Sequence, residues 1–149
     1  MIIDNAFLDQ LTAKAQTSPR KRMHYDLRDD TADTSMRMLN ALEPGTVIPI
    51  HRHNDTSEEI VVLRGEVEEV LFDDKGNEVE CYHLTAGGDI MACRVPMGQY
   101  HTCRSLKSGS VIIEFKRGMY NPETTEDYFV AEDMKLGGTK QEKPDTNLS

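Results

Sequence analysis

From Met36 onward, short apolar stretches alternate with turn residues, at the spacing of an all-β sandwich or barrel. The turn signals are Glu43-Pro44-Gly45, Arg64-Gly65, Ala86-Gly87-Gly88 and Pro96-Met97-Gly98. Between them the pattern predicts strands over Met36–Leu42, Thr46–His53, Glu58–Leu63 and Ile90–Val95, with two more around His101–Leu106 and Ser110–Lys116. Glu66–Phe72 and Glu78–Leu84 should pair as a hairpin across residues 73–77, where Gly76 and Asn77 tolerate positive φ.

The flanks read differently. Residues 2–16 carry Ile3, Phe7, Leu8 and Leu11 at helical spacing, with Asp4 as the cap and Ser18-Pro19 as the stop. Residues 23–35 are polar and read as an irregular surface connector. Residues 117–130 carry Tyr120, Pro122, Tyr128 and Phe129, the composition of an arm packed on the barrel or on a second subunit. From about Ala131 the chain is charged and Gly-rich without apolar periodicity, so mobility is expected. The division is therefore 1–35 helix and connector, 36–117 barrel, 118–130 arm and 131–149 tail, within one domain.

Seventeen basic against twenty-six acidic side chains give a net charge of −9, which argues against a nucleic-acid partner. The run Pro19-Arg20-Lys21-Arg22 is the local exception and reads as a solvated loop. No apolar segment has the length a bilayer requires, and the N-terminal residues lack a signal-peptide layout. Cys81, Cys93 and Cys103 are odd in number and not spaced as Cys-x-x-Cys, which leads to the expectation of a reduced, cytoplasmic protein, and no membrane partner is expected.

Chemistry concentrates in two stretches, Gly45 to Gly65 and Gly88 to His101. His51 and His53 are two apart, so on a strand both imidazoles project from one face. Burying two such rings without polar partners is costly. Glu58 begins the next strand and can return toward the same point, and His101 follows the Pro96-Met97-Gly98 turn. Three imidazoles and one carboxylate suit one divalent ion, Fe, Mn, Zn, Ni or Cu, and leave coordination positions for water or substrate.

These stretches resemble the paired motifs of the cupin superfamily, Gly-x5-His-x-His-x3–4-Glu-x6-Gly and Gly-x5-Pro-x-Gly-x2-His-x3-Asn. The first matches throughout with Glu58 as the acid; Glu59 leaves one residue too few before Gly65. In the second, seven residues separate Gly88 from Pro96, and Ser105 stands in place of Asn. More narrowly, Arg37 to Gly45, His51-Arg52-His53, Leu63-Arg64-Gly65 and Gly98-Gln99-Tyr100-His101-Thr102 resemble the WbuC family of cupin-fold metalloproteins, from about Ile2 to Tyr120. The resemblance implies a double-stranded β-helix, or jelly-roll barrel, holding a metal and associated with surface-polysaccharide gene clusters. A homodimer is expected, because barrel edges are readily covered by a second copy.

Beyond the ligands the residues leave alternatives open. Ile112, Glu114 and Lys116 share one face of their strand. If that face lines the barrel, Glu114 is a proton acceptor and Lys116 a substrate contact; if it faces water, they are an ordinary charge pair. Arg37 either enters the pocket mouth to hold an anionic substrate group or lies on the surface. Tyr100 should point away from the metal, Cys103 reads as a small core residue or a pocket thiol, and His83 as half-exposed. Three functions fit: a metal-dependent enzyme of isomerase or dioxygenase type acting on a small polar molecule such as a sugar derivative, a non-catalytic saccharide or anion binder, and a metal-free sugar-nucleotide epimerase.

Overall fold

The computed structural model describes residues 1–118, 123 and 125–127. One helix, α1 (Asn5–Thr17), precedes ten strands: β1 (Arg22–Asp26), β2 (Ser35–Leu42), β3 (His51–His53), β4 (Glu58–Arg64), β5 (Glu66–Phe72), β6 (Glu78–Thr85), β7 (Ala92–Val95), β8 (Tyr100–Ser105), β9 (Ser110–Arg117) and β10 (Thr125–Asp127). They form two antiparallel five-stranded sheets, ordered β1-β2-β9-β4-β7 and β10-β3-β8-β5-β6. This is the expected jelly roll. No helix among the described residues is long and apolar enough to cross a membrane.

α1 starts as its sequence predicts, with the Asp4 carboxylate accepting the Phe7 N–H at 2.9 Å. Its buried Leu8, Leu11 and Ala15 pack against Leu39, Ala41 and Val111 on the outer face of the first sheet. A separate core, with Leu42, Ile60, Val67, Leu71, Leu84 and Ile112, fills the space between the sheets.

Two boundaries differ from expectation. The connector contains β1, paired with β2 from Arg22↔Leu42 to Asp26↔Met38. Its period-two alternation is carried by Met23 and Tyr25 among charged residues, and Tyr25 stacks edge-on against Phe7 of α1 at 5.1 Å. The strand expected over Thr46–His53 is reduced to β3. Pro49 has no N–H to give to a ladder, and the Thr46 hydroxyl and the Ile48 carbonyl are engaged elsewhere, by Arg20 O and Thr102 Oγ1, both at 2.7 Å.

Gly65 closes β4 at φ +83°, and a Cβ there would lie 2.2 Å from Ser110 Oγ and 2.7 Å from Ser110 Cα. The β5–β6 hairpin turns where the Asp73 carboxylate accepts the N–H groups of Lys75 and Asn77, each at 2.9 Å. Of the expected arm, β10 runs antiparallel to β3. Tyr120, Pro122, Tyr128, Phe129 and the tail from Ala131 lie outside the described residues.

Candidate metal centre

The two histidines of β3 point between the sheets and are buried, as are Glu58 at the head of β4 and His101 on β8. His51 and His101 face one another directly in the β3–β8 ladder, with ring centroids 4.4 Å apart. Glu58 reaches them from the opposite sheet. Its Oε2 lies 3.2 Å from His101 Nε2 and 3.3 Å from His53 Nε2. One donor atom from each of the four residues lies within 4.8 Å of the others.

The outward-turned nitrogens are anchored. His51 Nδ1 lies 2.8 Å from the Pro49 carbonyl and His101 Nδ1 2.9 Å from the Gln99 carbonyl. A carbonyl only accepts, so both rings carry their proton on Nδ1 and turn Nε2 inward. His53 Nδ1 is held by the Thr125 hydroxyl of β10 at 3.1 Å. Its inward Nε2 is buried, 3.3 Å from Glu58 Oε2. Four converging donors, each imidazole oriented from behind, fit a divalent cation.

Charge ties the quartet together. Burial pushes His51 well below its usual range, and the neighbouring His101 and His53 add to this. Burial acts to raise Glu58, but its bonds to His101 and His53 outweigh that and hold it well below the carboxylate range. Burial acts to lower His101, and Glu58 overcomes it and lifts the group to about 9. A divalent cation held by these four residues would compete with the proton on His101.

A cavity of about 340 Å³, counted with its solvent-open space, adjoins the quartet. His51, Glu58 and His101 line it, together with Asn40, Glu69, Cys103 and Glu114 and the apolar Ile48 and Ile60. The polar face of β9 therefore turns inward. Glu114 accepts a hydrogen bond from Asn40 Nδ2 at 3.4 Å. Lys116 is also buried, opposite Glu58 in the β4–β9 ladder, but is not part of the cavity wall. Burial lowers its ammonium below the usual range, against the pull of Glu58, Glu114 and Asp55.

Arg37 is not brought to the cavity. Alternation along β2 sends Arg37 to the outer face with Leu39 and Ala41, where its guanidinium bonds Asp33 Oδ2 at 2.8 Å. Tyr100 points away from the quartet and lies beneath the Arg52 guanidinium, 4.4 Å from its ring centroid. Cys103 is both things the sequence allowed, a core residue and part of the cavity wall. His83 is exposed beside Glu66. Glu69 and Asn40 are cavity residues that motif reading missed. The signal was a lone acid between Val67 and Leu71, and a lone amide between Met38 and Leu42, on otherwise apolar strand faces.

Residues 3–84 match the family model described as Domain of unknown function (DUF6016). The chain belongs to the DUF6016 family. No curated protein matches this DUF6016 chain. Among solved structures it is similar to the capsular polysaccharide assembling protein CapF from Staphylococcus aureus, with a TM-score of 0.62 and 19% identity over 76% of this chain and 33% of that one. It is similar to KdgF from Halomonas sp., with a TM-score of 0.53 and 18% identity over 70% and 85% of the two chains. Oxalate oxidase in complex with glycolate matches with a TM-score of 0.55 and 20% identity, over 72% of this chain and 55% of that one. These are cupin-fold proteins, and the likeness shows that fold for the DUF6016 chain. The chain spans about a third of the length of CapF.

Proposed function

We propose that this protein is a metal-dependent enzyme acting on a small polar molecule, in which His51, His53, Glu58 and His101 hold one divalent ion. The observation that carries this reading is the buried quartet with its anchored outward nitrogens. Such an ion supplies Lewis-acid polarisation of a substrate carbonyl or hydroxyl, and Fe, Mn, Ni, Zn and Cu all accept this donor set.

The chain's own residues supply the rest. Glu114 faces the cavity and acts as proton acceptor, held in place by Asn40. Lys116, buried beside Glu58 and Glu114, offsets their negative charge and sits behind the site. A sugar derivative is the substrate class this reading favours. It is supported by the resemblance to the WbuC family and by the description of CapF as a capsular polysaccharide assembling protein. Isomerisation and oxygenation remain the two chemistries in play, in a cytoplasmic protein. Association of two copies along the edge strands β6 and β7 belongs to the same proposal.

The test is metal content by mass spectrometry on protein purified without an affinity tag, beside His53→Ala and His101→Ala. Near one equivalent of a divalent ion, lost in both variants while the barrel stays folded, is the expected result. Full occupancy in either variant sinks the ligand assignment. No uptake by the parent chain turns the reading to the metal-free epimerase or the binding module.

A further inference from the structure

Three polar atoms in the cavity region have no N–H or O–H partner among the described residues. Glu69 is wholly buried, and its carboxylate oxygens meet no N–H or O–H donor among the described residues, only the weak S–H of Cys103. Asn40 is 3% exposed; its Nδ2 is given to Glu114, and its Oδ1 is left bare. The two residues come from opposite sheets, Glu69 from β5 and Asn40 from β2, and both line the cavity that His51, Glu58 and His101 also line. Buried polar groups are nearly always paired, so unpaired atoms from two elements at one cavity mark a place where something else makes the bonds. Ile48 and Ile60 supply the apolar part of the wall, which contains no Lys or Arg.

The chemistry of these atoms selects the ligand. A hydroxyl both donates and accepts, so it satisfies the Asn40 oxygen and also the Glu69 carboxyl in either protonation state. A ligand carboxylate only accepts. Placed against Asn40, Glu69 and Glu114 it leaves Asn40 Oδ1 bare and meets only acceptors and negative charge there, with no Lys or Arg in the cavity wall. We propose that Glu69 and Asn40, with Glu114 beside them, form a hydroxyl-binding subsite that admits an uncharged polyhydroxy molecule and disfavours carboxylate anions. This deepens the metal-enzyme reading and rests on it for the position of the reacting carbonyl. The subsite itself stands on the unpaired atoms.

Because the Glu69 oxygens have only the weak Cys103 thiol as a donor within the protein, their loss should weaken ligand binding while easing folding. The experiment uses the full chain and two steps. Zn(II) uptake is measured first, by stoichiometry. Saturation-transfer NMR then gives the affinities of dihydroxyacetone and of glycolate, with and without Zn(II). Both probes offer a hydroxyl beside a carbonyl carbon and differ in charge, so comparing their affinity ratio between parent and variant cancels the preference of the ion itself.

In Glu69→Leu the ratio of dihydroxyacetone to glycolate affinity should fall about tenfold, as expected for one or two lost hydrogen bonds, while Zn(II) uptake holds and the melting midpoint rises. Glu69→Gln, which keeps the shape and a hydrogen-bonding tip, should hold the ratio within about twofold and serves if the leucine variant fails to fold. Asn40→Leu should lower the ratio in the same direction. An unchanged ratio in Glu69→Leu and Asn40→Leu, or no binding of dihydroxyacetone at all, overturns the subsite and leaves the metal reading intact. Failure to bind Zn(II) and, tried in turn, Fe(II), Mn(II), Ni(II) and Cu(II), with the discrimination preserved, overturns the metal reading and leaves the subsite.

Discussion

A buried imidazole has two nitrogens, and the partner of one decides the work of the other. At His51 and His101 that partner is a backbone carbonyl, which no side-chain substitution removes. At His53 it is the Thr125 hydroxyl, so Thr125→Val should weaken metal retention by about tenfold with little change in stability, measured by competition with a chelator. Equal retention would show that His53 is oriented by packing alone. Glu69 carries a second residue-scale consequence. Burial pushes its carboxyl well above the ordinary 4.5, partly offset by His101 and reinforced by Glu58 and Glu114. The folded chain therefore keeps a proton that the unfolded chain has released, and stability falls as pH rises above about 4.5 toward the raised value. Glu69→Gln should gain on the parent between pH 5 and pH 8 in denaturant melts, and a gap that stays constant would mean the carboxyl titrates normally. The ligand quartet was legible in the sequence because two of its members share a strand face and motif spacing identifies the others. Glu69 and Asn40 were not, since a single polar residue on an apolar face becomes informative only when the opposite wall is known.

At the scale of elements, the strands between Met36 and Arg117 were readable from their turns, and the exceptions have local causes. β1 was hidden because charged residues occupy the positions that alternate with Met23 and Tyr25. β3 was overestimated because the apolar run before His51 contains Pro49 and carries hydrogen bonds to Arg20 and Thr102 in place of a ladder. The face of β9 that lines the barrel could not be chosen from alternation, which is symmetric. α1 decides it by covering the other sheet face through Val111. The turn at Gly65 is the element most sensitive to a single methyl group. Gly65→Ala meets both a positive φ and the Ser110 backbone, and should cost about 3 kcal/mol, lowering the melting midpoint by about 9 °C. A loss under about 2 °C would show that β9 can shift to admit the methyl group.

At the scale of the molecule there are two apolar clusters on opposite faces of one sheet. The outer one joins α1 to β2 and β9, and the inner one lies beside the cavity. Stability and site chemistry are thereby divided between them. Leu11→Ala should cost about 3 kcal/mol through the outer cluster and leave metal content per folded chain unchanged; a parallel fall in both would mean the sheet transmits the loss. The contact between His53 and Thr125 spans the greatest distance along the chain of any that orients the quartet. His53 is made seventy-two residues before Thr125, about 4–14 s earlier at ordinary rates of synthesis. Until β10 is made, the nascent chain lacks the hydroxyl that bonds His53 Nδ1, so an ion captured on the ribosome meets a centre without that contact, and one captured after release meets it complete.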